Sequence, residues 1–230
     1  MRLDKFLCDS MNLSRKESKD VIKSGRVCVN DKVLRDPSFS INESSDVILV
    51  DSKQIKYEKF VYYMLNKPSG VVSATKDNID KTVIDILKTE GRDDLFPVGR
   101  LDKDTVGLLI ITNDGPLSHH LTSPKHHVDK TYYVKIDHPL SDSDIEKLSS
   151  GIKLDDAECK PAKVEVLSDN EINLTITEGM FHQVKRMLKA VDNEVHYLKR
   201  LSMGELKLDE SLEEGTYRRL TDDEIKMILK

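Results

Sequence analysis

Two carboxylates and two cations lie close together in one short loop. Arg100, Asp102, Lys103 and Asp104 lie between two glycines, immediately before an apolar run at residues 106–112. Glycine permits backbone conformations that other residues resist, and a polar loop carried by a rigid strand is a common place for reactive groups. An ionised carboxylate there can attack as a nucleophile, stabilise positive charge or take up a proton. The pattern alone equally describes a charged surface loop before a core strand, and we keep that simpler interpretation as the alternative.

A second group of polar residues lies on a predicted helix at residues 181–191. Val184, Met187, Leu188 and Val191 follow the i, i+3, i+4, i+7 spacing of one apolar helix face. The polar residues that fall largely outside this face are His182, Lys185, Arg186 and Lys189. Taken by itself, such a helix is typical of a solvated basic surface.

The composition limits the classes of protein to which the chain can belong. Its 230 residues, of which 38% are hydrophobic and 33% charged, suit a small and a medium-sized domain with a real core. No stretch approaches the roughly 18 apolar residues of a membrane span, and we expect no secretory signal. The three cysteines are scattered, so we expect a reducing cytoplasm and neither a disulfide framework nor a cysteine-based zinc site.

The first 50 residues have the pattern of a small helical and β unit. Apolar residues recur at helical spacing in residues 3–11, and Ser14 with Glu17 forms a capping box for a second helix. Short β-prone runs follow on both sides of the turn at Asn30 and Asp31. Residues 51–59 are polar and charged, which predicts a linker. We therefore expect one domain at residues 1–55 and a second at residues 60–230.

The second segment alternates β-prone runs with occasional short helices. Strands are predicted at residues 60–65, 71–73, 107–112, 132–136, 164–167, 172–177, 196–201 and 206–208. Helices are predicted at residues 82–87, 116–122, 141–150 and 181–191, and a capping box at Thr221 opens a terminal helix. This order predicts an α+β fold with a largely antiparallel sheet and flanking helices.

The loop sequence has a close counterpart in a known family. The run G-R-L-D at residues 99–102, D-T at residues 104–105 and T-N-D-G at residues 112–115 resembles the central motif of the RsuA-like family of rRNA pseudouridine synthases. Further matches follow in the family's order, at residues 64–70, 119–132, 178–187 and 198–204. The similarity runs from about residue 60 to residue 220. Residues 1 to about 50 separately resemble an S4 RNA-binding domain, which that family commonly carries.

The resemblance implies a reaction and roles for particular residues. The reaction is the isomerisation of uridine to pseudouridine within RNA, without redox change or cofactor. Asp102 matches the family's essential aspartate, Lys185 its expected partner, and Tyr132 the aromatic platform for a base that has left its stack. Asp104 is expected to be a structural carboxylate. Val106 and Met180 depart from the family pattern, which more often has a small hydroxylated residue and an arginine at these positions.

The resemblance also implies where RNA is bound. Arg100, Arg186 and Arg200 are the expected RNA contacts in the catalytic domain. In the S4-like domain, the cations that could form a basic face are Arg2, Lys5, Arg15, Lys16, Lys19 and Arg26. Most of them should contact phosphate rather than bases. The expected partner is rRNA or an assembling small ribosomal subunit, and the protein is expected to be a cytoplasmic monomer.

Three other interpretations remain open from the sequence. The substrate could be large-subunit rRNA, since sister enzymes share these motifs. The chain could instead be a ribosome-assembly factor that binds RNA without turnover. A histidine-based metal hydrolase is suggested by two histidine pairs, at residues 119–120 and 126–127, but neither pair has the i, i+4 spacing of helical zinc ligands. We therefore expect no metal.

Overall fold

The chain forms two compact units, Met1–Phe60 and Val61–Lys230. The computed structural model describes residues 1–11, 13–56 and 58–229. None of the helices within these ranges is both long and apolar enough to cross a membrane.

The first unit packs two helices against a small sheet. Its elements are α1 (Leu3–Met11), α2 (Arg15–Lys23), β1 (Val27–Val29), β2 (Lys32–Leu34), β3 (Ile48–Val50) and β4 (Lys53–Ile55). The strands are antiparallel in the order β2-β1-β3-β4. Leu3, Phe6 and Leu7 of α1 meet Ile22 of α2 in the core. The predicted capping box at Ser14 is confirmed, because the Ser14 hydroxyl accepts from the Glu17 amide and Glu17 accepts from the Ser14 amide.

The prediction of a linker at residues 51–59 was partly wrong. Asp51 and Ser52 both have positive φ, at 47° and 66°, and form a tight turn from β3 into β4. Asn30 and Asp31 do the same between β1 and β2, with φ of 47° and 64°. The polar composition of residues 51–55 therefore reflects an exposed edge strand.

The second unit is built on one large mixed sheet. Its elements are β5 (Tyr62–Lys67), α3 (Val83–Ile86), a 3₁₀ turn (Lys88–Glu90), β6 (Phe96–Pro97), β7 (Val106–Thr112), α4 (Gly115–Thr122), β8 (Lys130–Ile136), α5 (Asp142–Ser150), β9 (Lys163–Ser168), β10 (Glu171–Ile176), α6 (Gln183–Lys189), β11 (Val195–Met203), β12 (Leu206–Lys207), β13 (Tyr217–Arg219) and α7 (Asp222–Ile228).

The described strands of this unit follow the order β13-β5-β7-β11-β8-β10-β9, with β6 on β7 and β12 on β11. Neighbouring strands in the described ranges are antiparallel except β7 and β11, which are parallel. Side chains alternate across the sheet, so Leu109 and Ile111 of β7 enter one apolar cluster while Leu108 and Ile110 enter another. The α+β class and the largely antiparallel sheet are confirmed.

Four local predictions in this unit differ from the structure. Residues 71–73 form a single bridge, from Val72 to Thr82, instead of a strand. Strand β5 continues through residues 66–67, beyond the predicted strand at residues 60–65. Helix α6 begins at Gln183, two residues later than predicted, because His182 takes a left-handed conformation with φ of 49°. The sheet-edge strand β13 was not predicted; its residues are polar and pair with β5 over long sequence separation.

Candidate active site

The loop before β7 is fixed on both sides of Asp102. The Leu101 amide donates to the Ser73 hydroxyl at 3.0 Å, and this hydroxyl donates back to the Leu101 carbonyl at 2.9 Å. After Asp102, the Thr105 amide donates to the Asp102 carbonyl at 3.1 Å and closes a tight turn. Because its neighbours on both sides are bonded, the backbone of Asp102 has little freedom to move.

A buried lysine lies beneath this loop. The ammonium group of Lys67, a fully buried residue, donates to the carbonyls of Pro68, Lys103 and Thr105 at 3.1, 3.2 and 2.8 Å. Burial lowers the pKa of Lys67 to about 8, against the opposing effect of Asp104 and Asp102. Lys67 therefore positions the loop. In the sequence, Lys67 stood out only as part of the motif at residues 64–70, although a lysine at the end of a β-prone run was a usable indication.

The Asp102 carboxylate lies between the side chains of His182 and Lys185. Its side chain is 24% exposed, with Oδ1 3.6 Å from His182 Nε2 and Oδ2 3.5 Å from Lys185 Nζ. Lys185 makes its shortest contacts with Asp104, at 2.6 and 2.7 Å, and this hydrogen bond lowers the pKa of Asp104. Asp104, expected to be a structural carboxylate of the loop, thus shares the lysine with Asp102. One cation links both loop carboxylates.

The turn before α6 places the His182 side chain next to Asp102. The Met180 amide donates to Gln183 Oε1 at 3.0 Å, and Gln183 Nε2 donates to Glu178 Oε2 at 3.1 Å. The Phe181 ring stacks on the His182 ring with 3.7 Å between centroids and is itself 75% exposed. In the sequence, His182 was one of the polar residues outside the apolar face of the predicted helix, without a role of its own. Its place beside Asp102 depends on the left-handed turn, which the sequence pattern did not reveal.

A cavity of about 490 Å³ opens beside Asp102. This volume lies in the range of roughly 300–1,000 Å³ that small-molecule pockets usually have. Tyr132, 7% exposed, and the exposed Arg100 line the cavity together with Asp102 and Met180. A smaller cavity of about 50 Å³ shares these residues. The cavity is large enough for a nucleoside, and an aromatic ring lines it together with the carboxylate.

Arg200 lies inside the sheet and also lines the larger cavity. It is 2% exposed, and its Nε donates to the Leu108 carbonyl at 2.7 Å. Gly107, with φ of +98°, lets β7 and β11 approach here, because an added Cβ would lie 2.4 Å from the Arg200 carbonyl oxygen. Lys130, 6% exposed, lines the same cavity. The sequence analysis did not select Lys130.

The remaining cations expected to bind RNA lie at the surface of their units. Arg186 forms an ion pair with Asp156 on the exposed side of α6. In the first unit, all six cations that were expected to bind RNA are exposed, namely Arg2, Lys5, Arg15, Lys16, Lys19 and Arg26. Arg2 pairs with Asp4, and Arg26 pairs with Asp51. Carboxylates thus partly neutralise two of these six cations.

The histidine pairs make contacts of other kinds. The rings of His120 and His126 lie 4.2 Å apart, and His127 Nδ1 lies 3.0 Å from Lys160 Nζ. Within the ranges that the structure describes, no group of three histidine, cysteine or acidic side chains is arranged to hold a metal ion.

Comparison with known proteins identifies the class to which this fold and site belong. The family model of RNA pseudouridylate synthases matches residues 61–190, and the S4 domain model matches residues 1–48. The chain belongs to the RNA pseudouridylate synthase family, and the resemblance found in the motifs is confirmed. It is an isomerase that acts on RNA.

Relatives match over the whole chain. An uncharacterized RNA pseudouridine synthase of Bacillus subtilis, YtzG, is 47% identical over 99% of this chain and 98% of its own length. The ribosomal small subunit pseudouridine synthase A of Vibrio cholerae is 44% identical over all of both chains. A crystal structure of a pseudouridylate synthase, 40% identical, covers 99% of both chains with a TM-score of 0.71.

Proposed function

We propose that this enzyme converts one uridine of small-subunit rRNA to pseudouridine, with Asp102 as the catalytic carboxylate. The observation that carries the proposal is the position of Asp102, whose carboxylate lies between His182 and Lys185 in the wall of a nucleoside-sized cavity. The choice of small-subunit rRNA rests on relatives with that name, at 44% and 39% identity over the full chain.

The chemistry requires a carboxylate that is ionised in the free enzyme. In the reaction, the bond from the sugar carbon C1′ to the uracil nitrogen N1 breaks, and a bond from C1′ to C5 forms. The proton leaves C5, and N1 gains one, so no atoms are lost. Asp102 stabilises the positive charge that develops on the sugar as the first bond breaks. Lys185 Nζ lies 3.5 Å from Asp102 Oδ2 and offsets the negative charge of the carboxylate.

Tyr132 contacts the target base. The uridine leaves its stack to reach the carboxylate, and unstacking costs a few kcal/mol, which aromatic contact in the pocket offsets. Tyr132 is 7% exposed and lines the cavity beside Asp102. The exposed Arg100 at the same cavity, and the exposed cations of the first unit, contact the surrounding RNA through phosphates.

The test is the release of tritium from rRNA that is labelled at uridine C5. Wild type and Asp102→Asn are each incubated with small-subunit and large-subunit RNA, free and as particles. We expect release by the wild type from the small-subunit substrate, and a loss of more than about 10³-fold in Asp102→Asn because the charged group is removed. Release from large-subunit RNA alone would overturn the choice of substrate.

Asp104→Asn is the matched control for this experiment. It removes an equal charge from the same loop and breaks the 2.6 Å contact with Lys185, but leaves Asp102 in place. We expect Asp104→Asn to keep most of the activity, since Lys185 can still pair with Asp102. Equal loss of activity in both variants would remove the special role of Asp102. Absence of release by a folded, RNA-binding wild type would favour a factor without turnover.

A further inference from the structure

Two of the residues that line the larger cavity are buried cations. Arg200 is 2% exposed and Lys130 is 6% exposed, and both line the same cavity as Asp102 and Tyr132. Burying a charge is costly unless an opposite charge or good hydrogen bonds compensate it. The roles given to Asp102, Tyr132 and Lys185 do not involve these two cations, and the part of the RNA that Arg200 would contact is not specified by them.

Arg200 is rigidly held but incompletely bonded. Its Nε donates to the Leu108 carbonyl at 2.7 Å, which orients the guanidinium from the neighbouring strand β7. Its Nη2 is buried and has no hydrogen-bond partner among the described residues. A buried donor without an acceptor costs roughly 1–3 kcal/mol, and more when it is charged. Because Arg200 also lines the cavity, its positive charge lies close to any ligand bound there.

Lys130 adds a second charge next to the first. Its Nζ donates to the Val128 carbonyl at 2.8 Å, which occupies one of its three hydrogens. Burial and then the positive charge of Arg200 lower the pKa of Lys130 to about 8, and Asp129 acts in the opposite direction. The two cations therefore repel each other in the free protein, and an anion between them would relieve the repulsion.

The register of the sheet places both cations beside the proposed base platform. Arg200 of β11 is the direct partner of Tyr132 of β8, so their side chains share a face of the sheet. Lys130 lies two residues before Tyr132 on the same strand and therefore on that same face. Asp102, in contrast, already has Lys185 and His182 nearby. Among the cations that line this cavity, Arg200 and Lys130 are buried, whereas Arg100 and Lys103 are exposed.

We infer that Arg200 and Lys130 form an anion subsite that binds a phosphate group of the target nucleotide while its uridine occupies the cavity. This inference rests on the proposed function and deepens it. A phosphate carries the negative charge and the several acceptor oxygens that the two cations lack. A uracil carbonyl could accept a hydrogen bond but would leave both charges uncompensated. The phosphate on either side of the target nucleoside has the required chemistry.

The test compares three ligands that differ only in their phosphate. Uridine, 5′-UMP and 3′-UMP are titrated into the full chain by calorimetry at constant salt. We expect one nucleotide to bind about 10-fold to 100-fold more tightly than uridine, the range typical of charge-assisted hydrogen bonds. The preferred isomer identifies whether the 5′ or the 3′ phosphate is bound. If neither nucleotide binds more tightly than uridine, the inference is overturned.

Two variants and one control connect the effect to these residues. Lys130→Gln removes one charge, and Arg200→Lys keeps the buried charge but removes the free Nη2. Both should reduce the preference for the nucleotide over uridine to less than about threefold, because Lys130→Gln removes a charge and Arg200→Lys replaces the planar guanidinium, which can bind a phosphate through two parallel hydrogen bonds. Lys135→Gln is the control, because Lys135 lies on the same strand but is exposed and pairs with Glu171. Thermal unfolding of each variant verifies that it is folded.

The outcomes separate this inference from the proposed function. A folded Lys130→Gln that keeps the full nucleotide preference would overturn the subsite. Tritium release by the wild type together with equal affinity for uridine and both nucleotides would reject the subsite and keep the function. A nucleotide preference that disappears in Lys130→Gln but remains in Lys135→Gln, without any tritium release, would keep the subsite and reject the function.

Discussion

The two charged walls of the cavity differ in how their charges are balanced. Around Asp102, two carboxylates share Lys185, with contacts of 2.6 to 3.5 Å, and His182 lies 3.6 Å away. Around Arg200 and Lys130, the described residues leave a buried Nη2 without a partner. The charges of the first wall are paired in the free protein. The positive charges of the second wall become paired when an anion binds, according to the inference above. This difference in charge balance agrees with the proposed roles, which are catalysis for Asp102 and anion binding for Arg200 and Lys130.

The same contrast exists between two buried lysines. Burial lowers the pKa of both Lys67 and Lys130 to about 8. Lys67 donates to three backbone carbonyls, which satisfies all hydrogens of its ammonium group, while Lys130 donates to the Val128 carbonyl. Lys67 is therefore part of the scaffold, and Lys130 retains hydrogens for a ligand. Similar pKa values thus accompany different roles.

Removal of Lys67 should damage chemistry more than binding. Lys67→Met leaves the carbonyls of Pro68, Lys103 and Thr105 without their donor, so the loop that carries Asp102 shifts. A displacement of about 1 Å at a reacting group typically costs about 100-fold in rate. We expect kcat for tritium release to fall by about that factor, with the nucleotide preference of the cavity retained. If Lys67→Met instead loses the nucleotide preference and keeps its kcat, Lys67 serves ligand binding and not the positioning of the loop.

The pH dependence of stability should report the burial of Lys130. In the unfolded chain its pKa is near 10.5, and in the folded protein it is about 8. Between these values the unfolded chain holds a proton that the folded protein has released, so the free energy of unfolding rises with pH. Lys130→Met removes this contribution and should flatten the rise by up to about 1.4 kcal/mol per pH unit.

Urea unfolding at several pH values between 8 and 10 measures this slope. The exposed Lys135 provides the control, since Lys135→Met should follow the wild-type curve in this range. Parallel curves for Lys130→Met and wild type would mean that Lys130 titrates normally in the folded protein.

Phe181, an exposed residue that lines the larger cavity, should contribute to RNA binding. Its ring is 75% exposed at the cavity and stacks on His182. Stacking of a base on an exposed aromatic ring is worth about 1–3 kcal/mol. Phe181→Ala should weaken RNA binding toward the lower end of this range, while the free energy of unfolding changes by less than about 0.5 kcal/mol. As a control, Val166→Ala removes another exposed apolar side chain and should leave RNA affinity unchanged. If both variants weaken RNA binding equally, Phe181 makes no specific contact with RNA.

The exposed cations of the first unit should have the smallest individual effects. Lys19 of α2 is exposed. If Lys19→Gln removes one phosphate contact, the slope of log affinity against log salt should decrease by about 0.7 to 0.9. Binding measured at several salt concentrations gives this slope. Lys32→Gln, on β2 of the same unit, is the comparison; an identical decrease there would indicate a general charge effect.

Local sequence was sufficient for most elements and for the loop of Asp102. Capping boxes at Ser14 and Thr221 set helix starts, and the apolar run at residues 107–112 identified β7, because these signals act over a few residues. The edge strand β13 was missed since its pairing partner, β5, is about 150 residues away in the chain, and short edge strands have weak local patterns.

The sequence named candidates for the reactive residues but did not reveal which side chains contact them. The resemblance to the family's motifs implied Asp102, Tyr132 and Lys185 as the candidates. Only the folded chain brings Lys185 to Asp104 as well as to Asp102, and turns His182 toward the carboxylate through a left-handed residue. Strand pairing likewise places Arg200 opposite Tyr132, which makes an apparent surface arginine a buried one. Burial and charge balance arise from contacts between distant segments, so they depend on the tertiary fold.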